Sequence, residues 1–274
     1  MEFNRQKLEL ALEERRNYTN IFSSIHIFDT VSSTNTTAWE LLKQGIKPGF
    51  AVIATTQTSG RGQWGRQWNS PKGGLYLSAA LNSHLEVNHG YQLTLASAWG
   101  IAQELQDCGI FVEIKWPNDL VLDGYKLGGI LTETKVKKAL ITQAVIGVGI
   151  NWENPTPETG INLKTWQTNQ NNSSLNNSSF VSLEELAAKI IQGIEFGIRC
   201  LEQEGVDILL SRYVRLLVNI GEKVYVNNNP GTIIGVNPSG SLHVRMESSN
   251  SESVTTPYID LQPGTISLGY RKTS

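Results

Sequence analysis

The stretch FVEIKWPNDLVLDGYKLGGILTE, residues 111–133, alternates strand-type runs with turn chemistry. Runs at 111–115, 119–122 and 127–133 are apolar and β-branched. The Asp123-Gly124 pair between the last two is strong hairpin chemistry, because a two-residue hairpin turn wants positive φ at both central positions. Downstream, a turn at Lys137-Lys138 feeds a further strand at 140–148 (LITQAVIGV). Upstream, strands are predicted at 24–29, 50–56 and 75–81. Helices are predicted at 4–16, at Thr37–Lys43 behind a cap at Ser32 or Ser33 and ended by Gly45, and at 90–107 closed by Gly109. A capping box of Ser182 and Glu185 starts another running to about 204, and a last one covers 206–217. This is an α+β pattern, a mixed sheet with helices on one side. After Gly221 short strands are separated by Asn-Asn, Pro-Gly, Pro-Ser-Gly and Gln-Pro-Gly turns, which predicts a small all-β module. Residues 164–180 (KTWQTNQNNSSLNNSSF) are nearly all Asn, Ser, Thr and Gln and read as a mobile loop or insertion.

Composition narrows the class of function. The 274 residues are 39% hydrophobic and 18% charged, ordinary for a globular chain with a real core. A net charge of -2 gives no electrostatic footprint for nucleic acid or an anionic membrane. Cys108 and Cys200 lie far apart without metal-ligand spacing and read as free thiols. The charged N-terminus has no apolar signal core, and no run approaches the roughly 20 apolar residues of a membrane span. A cytoplasmic enzyme is expected.

Four stretches carry the chemistry. In GRGQWGRQW, residues 60–68, three glycines let backbone N–H groups turn toward an anion, Arg61 and Arg66 add fixed positive charge, and Trp64 and Trp68 could close over a planar ligand. The bland alternative is a surface loop with turn glycines. In KWPND, residues 115–119, a lysine, an amide and a carboxylate share one corner, yet Pro-Asn-Asp is also plain turn chemistry. In KLGGIL, residues 126–131, adjacent glycines thin a strand, marking either a close ligand or a bulge. In GVGIN, residues 147–151, glycines again thin a strand end, and Asn151 could read a purine edge.

In this order and spacing the four stretches resemble the catalytic domain of biotin–protein ligases, from about Ser33 to Asn151. The ending PGTISLGY is similar to that family's small SH3-like C-terminal domain. The resemblance implies a class II synthetase-like catalytic domain over 1–218 and an SH3-like β-barrel over 219–274. It also implies two half-reactions, in which biotin's carboxylate attacks the α-phosphate of ATP and a lysine of a biotin carboxyl carrier domain then takes the biotinyl group. Bringing a carboxylate against a triphosphate calls for clustered cations and preorganised N–H groups.

Carried over by position, Ser33, Thr34 and Asn35 match a motif that binds the biotin ureido ring, and Gln57 matches a biotin contact at a strand end. Gly60, Arg61, Gly62 and Gln63 match the loop over biotin and the adenylate, with Arg66 and Trp68 nearer the nucleotide. Lys126 matches a lysine at the biotin carboxylate and its phosphate, with Gly128 beside it. Lys115 resembles a second lysine at that anhydride. Asn118 and Asn151 are implied for the adenylate, and Asp119 for Mg²⁺ and the incoming lysine. Lys115, Lys126, Arg61 and Asp119 are thus the implied catalytic set.

Many members carry arginine where this chain has Gln63, which bears on retention of the adenylate. Members that bind DNA carry an N-terminal helix-turn-helix domain for which too few residues precede Ser33. No nucleic-acid or membrane partner is therefore expected, and a monomer or homodimer is. The nearest alternative is a lipoate–protein ligase or an octanoyltransferase, but neither cysteine sits beside a motif to act as the nucleophile of the latter. An idle biotin-binding module is a further alternative, and it would not need both Lys115 and Lys126.

Overall fold

The computed structural model describes residues 3–13, 21–171, 180, 182–247 and 257–270. Along the chain run α1 (Arg5–Glu13), β1 (Ser24–Val31), α2 (Thr34–Lys43), β2 (Phe50–Gln57), β3 (Leu75–Asn82) and α3 (Tyr91–Asp107). Then come β4 (Glu113–Lys115), β5 (Asp119–Leu122), β6 (Tyr125–Lys137) and β7 (Leu140–Ile150). They are followed by α4 (Leu163–Asn171), α5 (Leu183–Gln203), α6 (Val206–Arg215), β8 (Lys223–Val226), β9 (Asn229–Val236), β10 (Leu242–Met246) and β11 (Tyr258–Leu261). The first seven strands form one sheet in the order β1-β2-β3-β7-β6-β5-β4, parallel only between β1 and β2. The sheet is mixed, as the pattern of runs predicted.

The expected hairpin forms at Asp123-Gly124, with φ of 50° and 80°. The second turn sits one residue later than expected, at Lys138 and Ala139, with φ of 52° and 62°. Of the run 111–115 only Glu113–Lys115 pairs.

The expectation of helices on one side needs correction. Strand alternation sends Ala51, Ile53, Leu75, Leu77, Ile146 and Val148 into the large core with α3 and α5. The opposite face carries a second cluster, in which Phe50, Val52, Ala80 and Val145 pack against Ala38 of α2. That short helix covers only part of its face. Farther along, β3, β6 and β7 present Ser78, Gly129, Gly147 and Gly149 there, residues too small to fill the space. The unfilled half of this face is the floor of the cleft described below.

The polar stretch 164–180 also departs from expectation, since α4 occupies its first part. Two anchors outweigh the composition. Leu163 is fully buried, and the Trp166 indole donates to Asp123 at 2.7 Å. Asn162 caps the turn by accepting from the Thr165 amide at 2.9 Å. Residues 172–179 of that stretch, and 14–16 of the expected first helix, lie outside the described residues. Ser182 caps the helix as expected, its hydroxyl accepting from the Glu185 amide at 3.2 Å.

The C-terminal strands form an antiparallel sheet in the order β11-β10-β9-β8. Among the described residues this sheet is open, not the closed barrel expected. It is fastened to the first sheet through the 115–119 corner. The Trp116 amide donates to Asn219 at 3.0 Å, and its indole donates to the Gly240 carbonyl at 2.8 Å.

Candidate active site

The cleft on the half-covered sheet face has a volume of about 480 Å³, within the range of small-molecule sites. Most of the predicted residues line it. Ser33, Thr34, Asn35 and Gln57 stand at one end; Lys115, Asn118, Asp119 and Lys126 stand at the other; Arg61, Gly62, Gln63, Arg66 and Trp68 come from the loop across it.

The first end is neutral and internally bonded. Ser33 occupies the N-cap of α2 with extended backbone, but its hydroxyl makes no capping bond and it lines the cleft instead. Gln57 Oε1 accepts from the Thr34 amide at 2.9 Å and from its hydroxyl at 3.2 Å, while Gln57 Nε2 donates to Ser70 at 2.8 Å. The Ser78 hydroxyl lies 2.7 Å from Thr34 Oγ1 and 2.6 Å from Asn35 Oδ1. A Cβ at Gly147 would fall 2.3 Å from Asn35 Oδ1, so only glycine at that strand position lets the amide lie on the sheet.

Asn35 Nδ2 donates to Glu133 at 2.9 Å, as does the Trp39 indole at 3.2 Å. The same carboxylate holds Arg61 fork to fork, with both N···O distances at 3.0 Å. Arg61 is therefore engaged at the sheet in this structure, latching the glycine-rich loop down. Within the loop, the Trp68 amide donates to the Gly60 carbonyl at 3.0 Å and the Gly62 amide to the Arg66 carbonyl at 2.7 Å. The Trp68 indole lies on Gly149, where a Cβ would come within 2.5 Å of Nε1, and this buried Nε1 has no hydrogen-bond partner.

The second end is charged. Asp119 Oδ1 takes Lys126 Nζ at 2.5 Å, and Oδ2 lies 3.7 Å from Lys115 Nζ. Burial pulls the Lys115 amine below the usual lysine range; Asp119 opposes this, while Lys126 and Arg66 add to it. The Tyr270 hydroxyl donates to Asp119 Oδ2, and Lys115 Nζ sits 4.0 Å over its ring. Burial, then the Asp119 charge, push the Tyr270 phenol well up, so it stays a donor. The corner bearing these groups is pinned from behind, the Tyr213 hydroxyl donating to the Pro117 carbonyl at 3.0 Å.

Three predicted residues have other work here. Asn118 Nδ2 donates to the Ile130 carbonyl at 2.8 Å, which ties the corner to β6. Gly128 packs against β7, where a Cβ would meet the Gly149 carbonyl at 2.6 Å. Asn151 is buried, with its amide shared between the Lys126 carbonyl at 3.4 Å and Asn154 at 3.0 Å. Gly60, Gly128 and Asn151 do not line the cleft. Sequence reasoning missed Ser70, Ser78, Glu133, the wall at Gly264–Leu268 and Tyr270. Only Ser78, a polar residue inside the apolar run LYLSAAL, carried a usable signal.

The model of the Biotin/lipoate A/B protein ligase family matches residues 27–151. The bifunctional ligase/repressor BirA of Bacillus subtilis is 39% identical over 125 residues, covering 45% of this chain and 38% of that protein. The chain thus spans about two fifths of that relative's length. The Escherichia coli protein of the same name is 34% identical over 229 residues, covering 80% of this chain and 68% of that protein. In fold, the chain is similar to the biotin protein ligase from Aquifex aeolicus in complex with biotin and ATP, with a TM-score of 0.69 and 22% identity, covering 91% of this chain and 100% of that one. Matched through its cleft-forming strands by the family model and over two thirds of the E. coli relative, the chain belongs to the Biotin/lipoate A/B protein ligase family.

Proposed function

We propose that this protein is a biotin–protein ligase. It condenses the carboxylate of biotin with ATP to biotinyl-5'-AMP and pyrophosphate, then passes the biotinyl group to a lysine of a biotin carboxyl carrier domain. The observation that carries the reading is two lysines sharing one carboxylate, at the far end of a cleft whose near end is neutral and hydrogen-bonding. The names of the Bacillus and E. coli relatives, and the biotin and ATP bound by the Aquifex protein, support it.

In this reading the ureido ring of biotin meets Ser33, Thr34, Asn35 and Gln57, under the loop of Gly60, Arg61, Gly62 and Gln63. Those polar groups would be ill matched to the apolar ring of lipoate, because covering them without new hydrogen bonds costs free energy. The carboxylate then points at Lys126 and Lys115. Two cations against one aspartate leave a local excess of positive charge, which an incoming carboxylate and α-phosphate neutralise. As the carboxylate oxygen bonds to phosphorus, the bond to pyrophosphate breaks, and the lysines hold charge on the oxygens around that centre. In the second step the carrier amine attacks the biotinyl carbonyl, the C–O bond breaks, and AMP leaves as the amine gives up a proton. Trp68 and Arg66 flank the nucleotide, with Asn118 and Asn151 supporting the strands beneath.

Mg²⁺ would accompany the triphosphate. Among the described residues no cluster of acidic, histidine or cysteine side chains could cage a metal, and Asp119 is the one carboxylate lining the cleft. Such a donor set fits an ion held by phosphate oxygens, water and one carboxylate, where it offsets phosphate charge. The C-terminal sheet is taken as the counterpart of the SH3-like module, giving domains at 1–218 and 219–274.

The test is isotopic exchange of pyrophosphate into ATP. Exchange that depends on biotin and is not supported by lipoate or octanoate is expected. Exchange with lipoate in place of biotin would overturn the reading, as would none with either.

A further inference from the structure

Tyr270 lies 151 positions from Asp119, yet they share a hydrogen bond at the centre of the charged end. The path that brings it there is specific. After β11 the chain turns over Gln262–Thr265, the Thr265 amide and hydroxyl both donating to the Gln262 carbonyl. It then runs as a wall of the cleft from Gly264 to Leu268. Gly264 sits beneath the ring of Trp64, where a Cβ would come within 2.7 Å, so the glycine-rich loop and the tail meet across the cleft. We propose that Tyr270 is a positioning residue of the reaction centre, lent by the C-terminal module, which fixes the Asp119 carboxylate and covers the Lys115 amine. The proposal rests on the reading of this cleft as the site of biotin activation.

The geometry assigns a task to each part of the side chain. Asp119 must serve two cations with two oxygens. The Tyr270 hydroxyl occupies Oδ2 and leaves Oδ1 to Lys126 at 2.5 Å, so the carboxylate has one orientation and Lys126 a fixed starting point. Lys115 is left at 3.7 Å, too far for a tight bond. The ring face beneath its Nζ supplies the missing attraction in a water-poor place. Without the ring a buried ammonium would keep one distant counter-charge, with Lys126 and Arg66 nearby to repel it. Tyr270 therefore acts through Asp119 and Lys115, and touches no reacting atom.

The experiment compares Tyr270→Phe and Tyr270→Ala with wild type by two readouts. In biotin-dependent ATP–pyrophosphate exchange, Tyr270→Ala should lower kcat about tenfold, less than loss of a directly contacting donor. KM for biotin should stay unchanged, and Tyr270→Phe, which keeps the ring, should fall between. The second readout needs no substrate. Ligand-free protein is treated with an amine-acetylating reagent, and Lys115 labelling is followed by mass spectrometry. Labelling should rise in Tyr270→Ala and stay near wild type in Tyr270→Phe, with circular dichroism confirming that both fold. Unchanged kcat in Tyr270→Ala overturns the positioning role whatever the labelling shows, and unchanged labelling overturns the cover over Lys115. If wild type shows no biotin-dependent exchange while labelling follows the expected order, the functional reading fails and only the contact stands.

Discussion

At one end of the cleft Thr34, Asn35, Gln57, Ser70 and Ser78 satisfy one another through neutral hydrogen bonds of 2.6–3.2 Å, whereas at the other Lys115 and Lys126 divide the one carboxylate of Asp119. This network is tied together before a ligand arrives, and through Asn35 it reaches the Glu133 carboxylate that Arg61 balances. A ligand there adds bonds to spare valences without rearranging the wall, which suits recognition of a fixed shape. The charged end is incomplete, since cations outnumber anions and burial already disfavours the charge on Lys115. Cations there are rewarded most when the carboxylate and the phosphate are driven together against their mutual repulsion, which favours the transition state over the ground state. Changes at the neutral end should therefore move KM, and changes at the charged end kcat.

The largest effect is expected at Lys126, whose removal deletes the cation proposed to meet the carboxylate–phosphate junction. Lys126→Ala should cut kcat for adenylate formation by about 10²–10³ with little change in ATP binding, as measured by exchange kinetics and titration. A near-normal rate would erase the distinction between the two ends. Next comes Gly147→Ala, whose Cβ would press on Asn35 and break its contact with Ser78. We expect KM for biotin to rise about tenfold at unchanged kcat; a fall in kcat alone would contradict the assignment of that end to recognition.

Gln63 lies in the loop joining the two ends. Gln63→Arg would add charge to any hydrogen bond with the adenylate and slow its escape about fivefold, read as release of biotinyl-AMP after single turnover. If Gln63→Arg changes nothing while Trp64→Ala speeds release, closure depends on the indole at Gly264 and not on charge. The smallest effect belongs to Glu133→Gln. The Arg61 pair is partly exposed, and such pairs contribute little. Biotin affinity should weaken about threefold and amide exchange over 58–68 should quicken, with kcat preserved. A loop equally protected in both proteins would show that Glu133 is not its latch.

Much of this was legible locally. The Asp123-Gly124 hairpin, the N-cap at Ser182 and the run of strands follow from turn, cap and alternation chemistry within a few residues. The four glycine- and lysine-bearing stretches stood out because each departs from what a plain strand needs. What was not legible depends on distant chain. Glu133 reads as an outward position on an alternating strand until Asn35, Trp39 and Arg61 are seen to converge on it. The helix Leu163–Asn171 was hidden because two buried anchors, Leu163 and Trp166, sit in a polar sequence. Nothing near Tyr270 announces Asp119, and the second face of the sheet became apparent only once α2 was placed on it. Asn118 and Gly128 also serve the fold, Asn118 by donating to the Ile130 carbonyl and Gly128 by packing against β7, and neither contact shows in the local sequence.

In the proposed reaction biotin's own carboxylate is brought to the α-phosphate between Lys115 and Lys126. The decisive experiment uses biotin carrying ¹⁸O in its carboxylate, ATP and a biotin carboxyl carrier domain, followed by mass spectrometry of the AMP released. Attack of the carboxylate on the α-phosphate leaves the bridging oxygen on phosphorus when the carrier amine takes the acyl group. Each AMP formed with wild type should carry one ¹⁸O, and the same labelled AMP should appear correspondingly more slowly with Lys126→Ala. AMP free of label, formed in step with biotinylated carrier, would contradict it.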